Sequence, residues 1–464
     1  MSFQEYKPTW ESLDRRPIPK WFQNAKFGIF IHWGVYSVPA WRKVTEGRYA
    51  SYAEWYYARV MFDKEGGGEE FHKGNYGENF EYRDFAPLFR AELFDPDEWA
   101  ELFARAGAKY VVLTSKHHDG YCLWPTKSPY KEGWNSLDVG PKRDLVGDLT
   151  RAVRAKSLRM GLYYSIIEWE SNWTHRTESG YFLPKRLMDK YSIPEDKYID
   201  GNLLPQLKEL VLTYQPAVIF GDAGEWDRTA EEWKTLDFLA WLYNNAPNKD
   251  EVVVNDRFGK DMPGKHGDYF SSEYQDAEGV GILHPWEESR GIGGSYGFNR
   301  DEDIDDYNAS EELVHELVDI VSRGGNLLLN VGPTSDGRIP VIMQQRLVDI
   351  GKWLEVNGEA IFGTRPWQKA AMNRREDRSV YFTKKGEDLF VICTRWPQKE
   401  FKISGIRGIE KIQVSLLGFD ALVEWRIIED GLYIAPPVVN PATVPCKYAW
   451  VFKIKGDAPQ GTTL

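Results

Sequence analysis

The sequence predicts an α/β protein: a TIM-like (β/α)8 barrel, regular or irregular, followed by a C-terminal antiparallel β-sandwich. From residue 27 to about residue 350, short apolar runs alternate with helical patterns, which is typical of βαβ units around a parallel sheet. No GxGxxG motif follows an early strand, so a barrel fits better than a Rossmann sheet. After about residue 365 the pattern changes to alternating strands without helices. We therefore expect a barrel domain at residues 1–364 and a sandwich at residues 365–464.

Seven apolar runs predict barrel strands, and the eighth strand has no clear run of its own. Helical patterns separate several of them; in FDPDEWAELFARAGA, Asp95 can cap the helix, Pro96 suits its first turn and Gly107 ends it. The polar, glycine-rich segment from Met61 to Phe85 predicts a long loop over the barrel mouth. The strand runs are FGIFIHWG, YVVLTS, MGLYYS, AVIFGD, VVVNDR, DYFSSEY and NLLLNVGP, and the other helical patterns are DLVGDLTRAVRAKSL, LLPQLKELVLTY, SEELVHELVDIVSRGG and QQRLVDIGKWLEVNG.

Charge and hydropathy argue against two classes of partner. With 58 basic and 70 acidic side chains among 464 residues, the net charge of −12 repels phosphate backbones, so we expect no nucleic-acid partner. No stretch of the sequence is long and apolar enough to cross a bilayer, so we expect no membrane partner. The amino terminus lacks an apolar signal core, which favours a cytoplasmic protein unless a secretory signal has been trimmed. Homo-oligomerisation stays open.

The cysteines and the aromatic residues further limit the kinds of site that we expect. Cys122, Cys393 and Cys446 stand far apart without a CxxC motif, which indicates neither a disulfide framework nor a zinc knuckle. Phe, Trp and Tyr make up 14% of the residues. Such rings can stack on the C–H faces of sugars, although packing in a large core explains most of them.

Polar and aromatic residues follow most of the apolar runs. TIM barrels place their chemistry at the carboxyl ends of the strands, so these residues are the first candidates for a site. They are His32-Trp33, His117-His118-Asp119, Tyr163-Tyr164, Asp222, Asn255-Asp256-Arg257 and Glu273.

The stretch KHHDG, which follows YVVLTS, could hold a metal, run acid–base chemistry or bind a polar ligand. Consecutive residues of a strand point to opposite faces, so His117 and His118 could share an ion only if the strand has already ended. No HxH, HxxxH or HExxH motif supplies further ligands. We expect no metal and no cofactor, and instead hydrogen bonds to a polyhydroxylated ligand, because imidazole donates from one nitrogen and accepts at the other.

Two carboxylates stand at strand ends. Asp222 lies between Gly221 and Gly224, which would let backbone and ligand approach closely, and Glu273 follows 51 positions later. Two carboxylates aimed at one cavity suit glycoside hydrolysis, where one attacks the anomeric carbon and the other protonates the leaving oxygen. A structural salt bridge, such as Asp222 with Arg257, explains them equally well.

Two further kinds of chemistry are disfavoured. GxSxG is absent, so no serine sits on a nucleophile elbow. The segment GGNLLLNVGPTSDG has glycines but lacks GK[ST], so it predicts a buried strand and a turn rather than a phosphate loop.

Several long motifs resemble one family. WFQNAKFGIFIHWGVYSVPAW, SKHHDGYCLWPTKSPYKEGWNSLDVGPKRDLVGDL, SYGFNR and VSRGGNLLLNVGPTSDGRIP are similar to the α-L-fucosidases of glycoside hydrolase family 29. The resemblance covers roughly Trp21 to Arg365, and the sandwich also matches the family's layout. It implies a retaining exo-glycosidase that removes terminal α-L-fucose, by double displacement, from fucosylated oligosaccharides, glycoconjugates or small fucosides.

The resemblance also implies catalytic roles for two carboxylates. Asp222 in VIFGDAGEW falls on the family's nucleophile, and Glu273 in SSEY falls on the acid/base of its bacterial members. The family is not uniform in where its acid/base lies, so Glu287, Asp276 and Glu54 are also candidates for that role.

The sugar-binding positions carry over by motif. Hydrogen-bonding groups would bind the hydroxyls, and Trp55, Tyr163 and Tyr296 would wall off the C6 methyl of a deoxy sugar. The matching residues are His32, Glu54, Trp55, His117, His118, Tyr163, Arg257 and Tyr296. Two departures, Gly221 before the nucleophile and Tyr296 where many relatives have tryptophan, leave the linkage preference open.

Two more functions stay open beside fucoside hydrolysis. The chain could be a catalytically silent fucose-binding protein, or a glycosidase or transfucosylase that prefers a related sugar.

Overall fold

Eight parallel strands curl into one sheet in the first part of the chain. The computed structural model describes residues 5–47, 51–171, 183–226, 228–274, 284–367, 379–404, 406, 412–429 and 431–456. The strands are β1 Phe27–Ile31, β2 Tyr110–Lys116, β3 Arg159–Ser165, β4 Val218–Asp222, β5 Val253–Val254, β6 Phe270–Glu273, β7 Trp286–Gly291 and β8 Asn326–Val331.

The strand order closes the sheet in the sequence order of a (β/α)8 barrel. Neighbours run β5-β4-β3-β2-β1-β8-β7-β6, and every pairing is parallel. A parallel bridge between Asn255 and Tyr269 joins the β5 side of the sheet to the β6 side. The predicted TIM-like barrel is therefore confirmed, with an irregular closure between β5 and β6.

Strand β7 is the one that lacks an apolar run. Its sequence is WEESRG, yet five of its six residues are buried. Glu287 accepts a hydrogen bond from Tyr110, while Arg290 pairs with Glu288 at 3.2 Å and with Glu316 at 2.5 Å. The polar strand is tolerated because Glu288 and Arg290 are ion-paired, while burial raises the pKa of Glu287 to about 8 and so favours its uncharged form.

Helices separate the barrel strands, and all five helical patterns are confirmed. Asp95 accepts hydrogen bonds from the backbone of Asp97 and Glu98, Pro96 opens the helix, and Gly107 follows it at φ +82°. The helices are α1 Trp10–Leu13, α2 Lys20–Ala25, α3 Gly68–Tyr76, α4 Pro96–Arg105, α5 Leu145–Ala155, α6 Lys185–Tyr191, α7 Glu195–Lys197, α8 Leu204–Tyr214, α9 Thr235–Asn245, α10 Ser310–Ser322 and α11 Val341–Asn357.

The segment from Met61 to Phe85 is not the simple loop that its composition predicts. Helix α3 lies within it, and a 3-10 helix over Tyr82–Leu88 begins before its end. His72 anchors α3, because its imidazole hydrogen-bonds the Tyr56 hydroxyl at 2.9 Å and the Phe80 carbonyl at 2.8 Å. These tertiary contacts outweigh the helix-breaking glycines.

Two antiparallel sheets follow the barrel and pack face to face, as predicted. One has the order β13-β16-β11-β10-β9 and the other β12-β15-β14. Val391 and Phe452 of the first sheet share a buried cluster with Ile403 and Leu432 of the second. The strands are β9 Arg365–Pro366, β10 Val380–Lys385, β11 Asp388–Cys393, β12 Phe401–Ser404, β13 Gln413–Leu416, β14 Glu424–Ile428, β15 Gly431–Ala435 and β16 Trp450–Lys455. The domain boundary at residue 364 stays a prediction.

No helix in the described ranges has both the length and the apolar character needed to cross a membrane.

Candidate active site

A cavity of about 630 Å³ opens at the carboxyl ends of the barrel strands. All ten site residues predicted from the sequence line it, although they come from positions between residue 32 and residue 296. They are His32, Glu54, Trp55, His117, His118, Tyr163, Asp222, Arg257, Glu273 and Tyr296. The barrel brings them together because the ends of its parallel strands meet at one face.

Asp222 ends strand β4, and hydrogen bonds orient both of its carboxylate oxygens. Tyr163 donates its hydroxyl to Oδ2 at 2.7 Å, and Arg257 Nη1 donates to Oδ1 at 3.1 Å. The Ala223 backbone N–H adds a third bond to Oδ1 at 3.0 Å, from a left-handed backbone conformation with φ +64°. The carboxylate is therefore held in one orientation at the cavity wall.

The glycines around Asp222 make room for protein rather than for a ligand. A Cβ atom at Gly221 would lie 2.3 Å from the Phe258 ring, and one at Gly224 would lie 2.6 Å from the Arg257 carbonyl oxygen. The expectation that both glycines admit the ligand is wrong in this respect. They let the segment that carries Arg257 pack against β4.

Arg257 connects the two candidate catalytic carboxylates. Its Nη1 atom donates to Asp222 Oδ1 at 3.1 Å and to Glu273 Oε2 at 3.2 Å, while Nε donates to Ser271 Oγ at 2.9 Å. Because both oxygens bind the same nitrogen, they lie no more than about 6.3 Å apart. The predicted salt bridge between Asp222 and Arg257 thus exists, and it includes Glu273.

Glu273, at the end of β6, differs from Asp222 in its environment. Tyr52 donates its hydroxyl to Oε1 at 2.9 Å, and Arg257 binds the second oxygen. Burial raises the pKa of Glu273 above its ordinary value, and the nearby Asp222 charge raises it further, against the opposing effect of Arg257. The site therefore favours the protonated form of Glu273 more than water does.

His117 and His118 follow the last residue of β2, where the strand alternation has ended. Both line the cavity, and their ring centroids are 4.3 Å apart. Burial lowers the pKa of each well below the ordinary histidine value, so both imidazoles are neutral. Among the described residues, none hydrogen-bonds the buried Nδ1 atom of His117.

The tautomers of His118 and His32 follow from their partners. Ser165 donates to the Ile167 carbonyl at 2.6 Å, so its oxygen accepts from His118 Nδ1 at 2.6 Å. His32 Nδ1 likewise donates to the Asn330 side-chain oxygen at 2.7 Å, and burial lowers the His32 pKa to about 4. Each ring thus keeps its Nε2 lone pair as a hydrogen-bond acceptor.

Within the part of the chain that the structure describes, no group of three or more His, Cys, Asp or Glu side chains is placed to hold a metal ion.

Comparison with known proteins decides the family. The α-L-fucosidase family model matches residues 1–359, and the model of the α-L-fucosidase C-terminal domain matches residues 373–455. The chain belongs to the α-L-fucosidase family. It is a glycoside hydrolase of this family, as the motifs of its sequence imply.

Individual relatives agree along nearly the whole chain. It is 41% identical to human tissue α-L-fucosidase over 98% of this chain and 92% of that protein, and 43% identical to the bovine tissue enzyme over 97% and 91%. Among solved structures, Thermotoga maritima α-fucosidase in complex with fucose superposes with a TM-score of 0.80 at 40% identity, covering 97% of this chain and 100% of that chain.

Glu54 and Tyr296 occupy another part of the wall of this fucosidase. Glu54 is 1% exposed, and its Oε2 atom accepts from the Gly297 backbone at 2.8 Å and from Ser295 Oγ at 3.1 Å. Burial is the main cause that raises the Glu54 pKa to about 8. Tyr296 hydrogen-bonds Ser289 Oγ at 2.8 Å, and its ring lies 4.7 Å from that of His32.

The three further candidates for the acid/base lie in different places. Glu287 does not line the cavity, because it sits near the start of β7 and bonds Tyr110 inside the barrel. Asp276 lies outside the described residues. Glu54 does line the cavity, but Glu273 is the one that shares Arg257 with Asp222.

Ten further residues line the cavity that were not assigned to the site from the sequence. Glu225 and Trp226 stand three and four positions after Asp222, so proximity to a strand end was a usable signal for them. Asp256 stood among the strand-end residues. The full set is Phe30, Tyr52, Arg59, Phe220, Glu225, Trp226, Asp256, Pro263, Ser271 and Ser289.

Proposed function

We propose that the protein is a retaining exo-glycosidase that hydrolyses terminal α-L-fucosyl residues, with Asp222 as nucleophile and Glu273 as acid/base. The observation that carries this proposal is the shared contact with Arg257. It keeps the distance between the facing oxygens of the two carboxyl groups to at most about 6.3 Å, which is compatible with the roughly 5 to 5.5 Å between the carboxyl groups of retaining enzymes.

In the first step, an Asp222 oxygen attacks C1 of the fucosyl unit and the bond from C1 to the leaving oxygen breaks. The electron pair of that bond stays on the leaving oxygen, which takes the proton of Glu273. In the second step, water attacks C1 of the fucosyl ester while Glu273 accepts a proton from the water. Fucose leaves, and the Asp222 carboxylate is restored.

The hydrogen-bonding groups of the cavity suit a sugar with several hydroxyls. The neutral rings of His32 and His118 each offer an acceptor, and the protonated carboxyl of Glu54 can donate. Together these uncharged groups can hydrogen-bond the hydroxyls of a neutral sugar. Fucosylated oligosaccharides, glycoconjugates and small fucosides therefore form the substrate class.

The nucleophile is tested with Asp222→Gly and an aryl α-L-fucoside. We expect a loss of at least about 10³-fold in kcat, partly restored by azide, which would occupy the vacated space and trap a β-fucosyl azide. Asp250→Gly, at an exposed carboxylate, is the matched control. Near-wild-type turnover by Asp222→Gly would exclude Asp222 as nucleophile, and release of β-L-fucose as the first product of the wild type would exclude retention.

The acid/base is tested by varying the leaving group. Glu273→Gln should keep most of kcat/KM on a dinitrophenyl fucoside, whose leaving group needs no proton, and lose far more kcat/KM on a fucoside of a poor leaving group, while kcat falls on both because the second step lacks its base. Glu54→Gln serves as the comparison. If Glu54→Gln shows this dependence and Glu273→Gln does not, the acid/base is Glu54.

Substrate choice is tested with the wild type alone. Binding of fucose without turnover of any aryl fucoside would indicate a silent binding protein. Faster turnover of an aryl β-D-galactoside than of the fucoside would indicate a related sugar as the natural glycone.

A further inference from the structure

Two ring-bearing residues are exposed at the mouth of the cavity. Of the twenty described residues that line the cavity, only Trp226 and Pro263 are exposed, and Trp226 is 43% exposed. All the residues predicted to bind fucose are more buried than these two. Because an exo-glycosidase holds the terminal sugar in the depth of its pocket, the leaving group must pass this rim.

Trp226 continues the wall of the sugar site outward. It ends the 3-10 turn Gly224–Trp226, which begins two residues after Asp222. Its ring centroid lies 5.7 Å from that of Trp55 and 5.3 Å from that of His118, both of which are buried. The ring is therefore supported from behind while much of its surface faces solvent.

A chain of hydrogen bonds connects the backbone next to Pro263 to Arg257, which contacts both catalytic carboxylates. Asp256 accepts from the Gly264 backbone at 3.0 Å, next to Pro263, and from Ser271 Oγ at 2.7 Å. Ser271 in turn accepts from Arg257 Nε at 2.9 Å. The loop that carries Pro263 is thus fixed relative to the guanidinium that holds the two catalytic carboxyl groups.

We infer that Trp226 and Pro263 form a subsite for the leaving group, and that this subsite takes a pyranose through its apolar C–H face. The inference rests on the proposed function. The flat indole of Trp226 is what such a sugar face packs against, and the uncharged ring of Pro263 adds apolar surface; both exclude water without demanding particular hydroxyls. Glu225, beside Trp226, adds little free charge to the rim, because burial raises its pKa to about 8 and Arg257 Nε lies 3.8 Å from its Oε1 atom. A neutral sugar therefore fits this rim better than a cationic group.

The test compares two substrates that share the fucosyl unit. α-L-Fucosyl fluoride has no ring in its leaving group, whereas a fucosylated disaccharide has a pyranose there. We expect Trp226→Ala to lower the ratio of kcat/KM for the disaccharide to kcat/KM for the fluoride about tenfold. Trp226→Phe should recover part of that loss.

Trp425→Ala is the matched control, since Trp425 is 37% exposed on β14 of the C-terminal domain and should leave the ratio unchanged. An unchanged ratio in Trp226→Ala would overturn the inference. Equal losses on both substrates would overturn it as well, because Trp226 would then act on the fucose site through Trp55 and His118. Failure of the wild type to hydrolyse either substrate would instead refute the proposed function.

Discussion

Glu168 offers a sharp test of how the loops that carry the site histidines are held. It is 2% exposed, and it accepts hydrogen bonds from Lys116 at 2.8 Å, Lys131 at 2.5 Å and Asn202 at 3.2 Å. Lys116 is the last residue of β2, directly before the site histidines, and the backbone N–H that follows Glu168 donates to the His118 carbonyl at 2.9 Å. Glu168→Gln keeps the shape of the side chain and removes its charge.

The size of the expected loss of stability follows from the shift in the pKa of the Glu168 carboxyl. Burial alone would raise its pKa, but the combined attraction and hydrogen bonds of Lys116 and Lys131 lower it from 4.5 to about 2. That difference corresponds to about 3 kcal/mol, in line with the roughly 3 to 5 kcal/mol for breaking a buried ion pair. Because the folded pKa is depressed, this stabilisation is complete above pH 4.5 and is lost as the pH falls toward 2.

Calorimetry of the barrel transition measures this difference. Roughly 360 residues unfold with an entropy of about 0.75 kcal/mol/K, so Glu168→Gln should lower Tm by about 4 to 5 °C at about pH 7. At about pH 3.5 the difference in free energy shrinks to about 2 kcal/mol, and the difference in Tm to about 3 °C. Glu101→Gln, which breaks an exposed pair with Lys156, is the control and should change Tm little at either pH.

Two results would refute this reasoning. A Tm for Glu168→Gln within about 1 °C of the wild type at about pH 7 would show that the buried charge contributes no net stability. A difference in Tm that stays constant or grows as the pH falls would show that Glu168 does not titrate as its two lysine partners require.

Two further predictions concern the surroundings of the proposed nucleophile. Gly221→Ala should cost about 1 to 3 kcal/mol in a thermal melt because its Cβ would meet the Phe258 ring at 2.3 Å. Gly74→Ala in α3, where a Cβ would meet no described atom within 4 Å beyond the neighbouring residues and backbone of its own helix, should be neutral or stabilising. Equal Tm changes in both variants would contradict the packing argument. Tyr163→Phe removes the hydroxyl that donates to Asp222 at 2.7 Å and should lower kcat/KM on an aryl fucoside by about 10 to 100-fold. A loss below about twofold would mean that this bond does not orient Asp222 in the reaction.

The positions of the site residues could be predicted because the carboxyl ends of the parallel strands of a barrel all lie at the same face. His32 and Asp222 are 190 residues apart in the sequence, and Asp222 and Glu273 are 51 apart, yet each ends or follows a strand of the same barrel. Hydrophobic periodicity finds such strands where both faces are buried in apolar surroundings. It failed for β7, since WEESRG is buried through ion pairs and hydrogen bonds that a single sequence does not display.

Contacts between strands could not be predicted in the same way. The bond from Tyr163 to Asp222 depends on the register of β3 against β4, and the packing of Phe258 onto Gly221 depends on how β5 continues into its loop. The residue type of Tyr163 predicts only an apolar contact with the C6 methyl of the sugar. Its hydroxyl binds the carboxylate, which places it in the catalytic geometry as well as in the wall.

Arg257 forms salt bridges with Asp222 and Glu273, and the proposed mechanism assigns the same two carboxyl groups as the catalytic pair. In the proposed mechanism Asp222 attacks as a carboxylate while Glu273 gives up its proton. Glu225 and Asp256 also act on the Arg257 charge. In the fucosyl intermediate Asp222 is a neutral ester and Glu273 has lost its proton, so the negative charge moves from the Asp222 side of the guanidinium to the Glu273 side. A single nitrogen that reaches both carboxyl groups, at 3.1 and 3.2 Å, can follow that charge from one to the other without moving far. The same two bonds keep the facing oxygens of the two carboxyl groups within about 6.3 Å, so one guanidinium contacts both groups of the proposed mechanism.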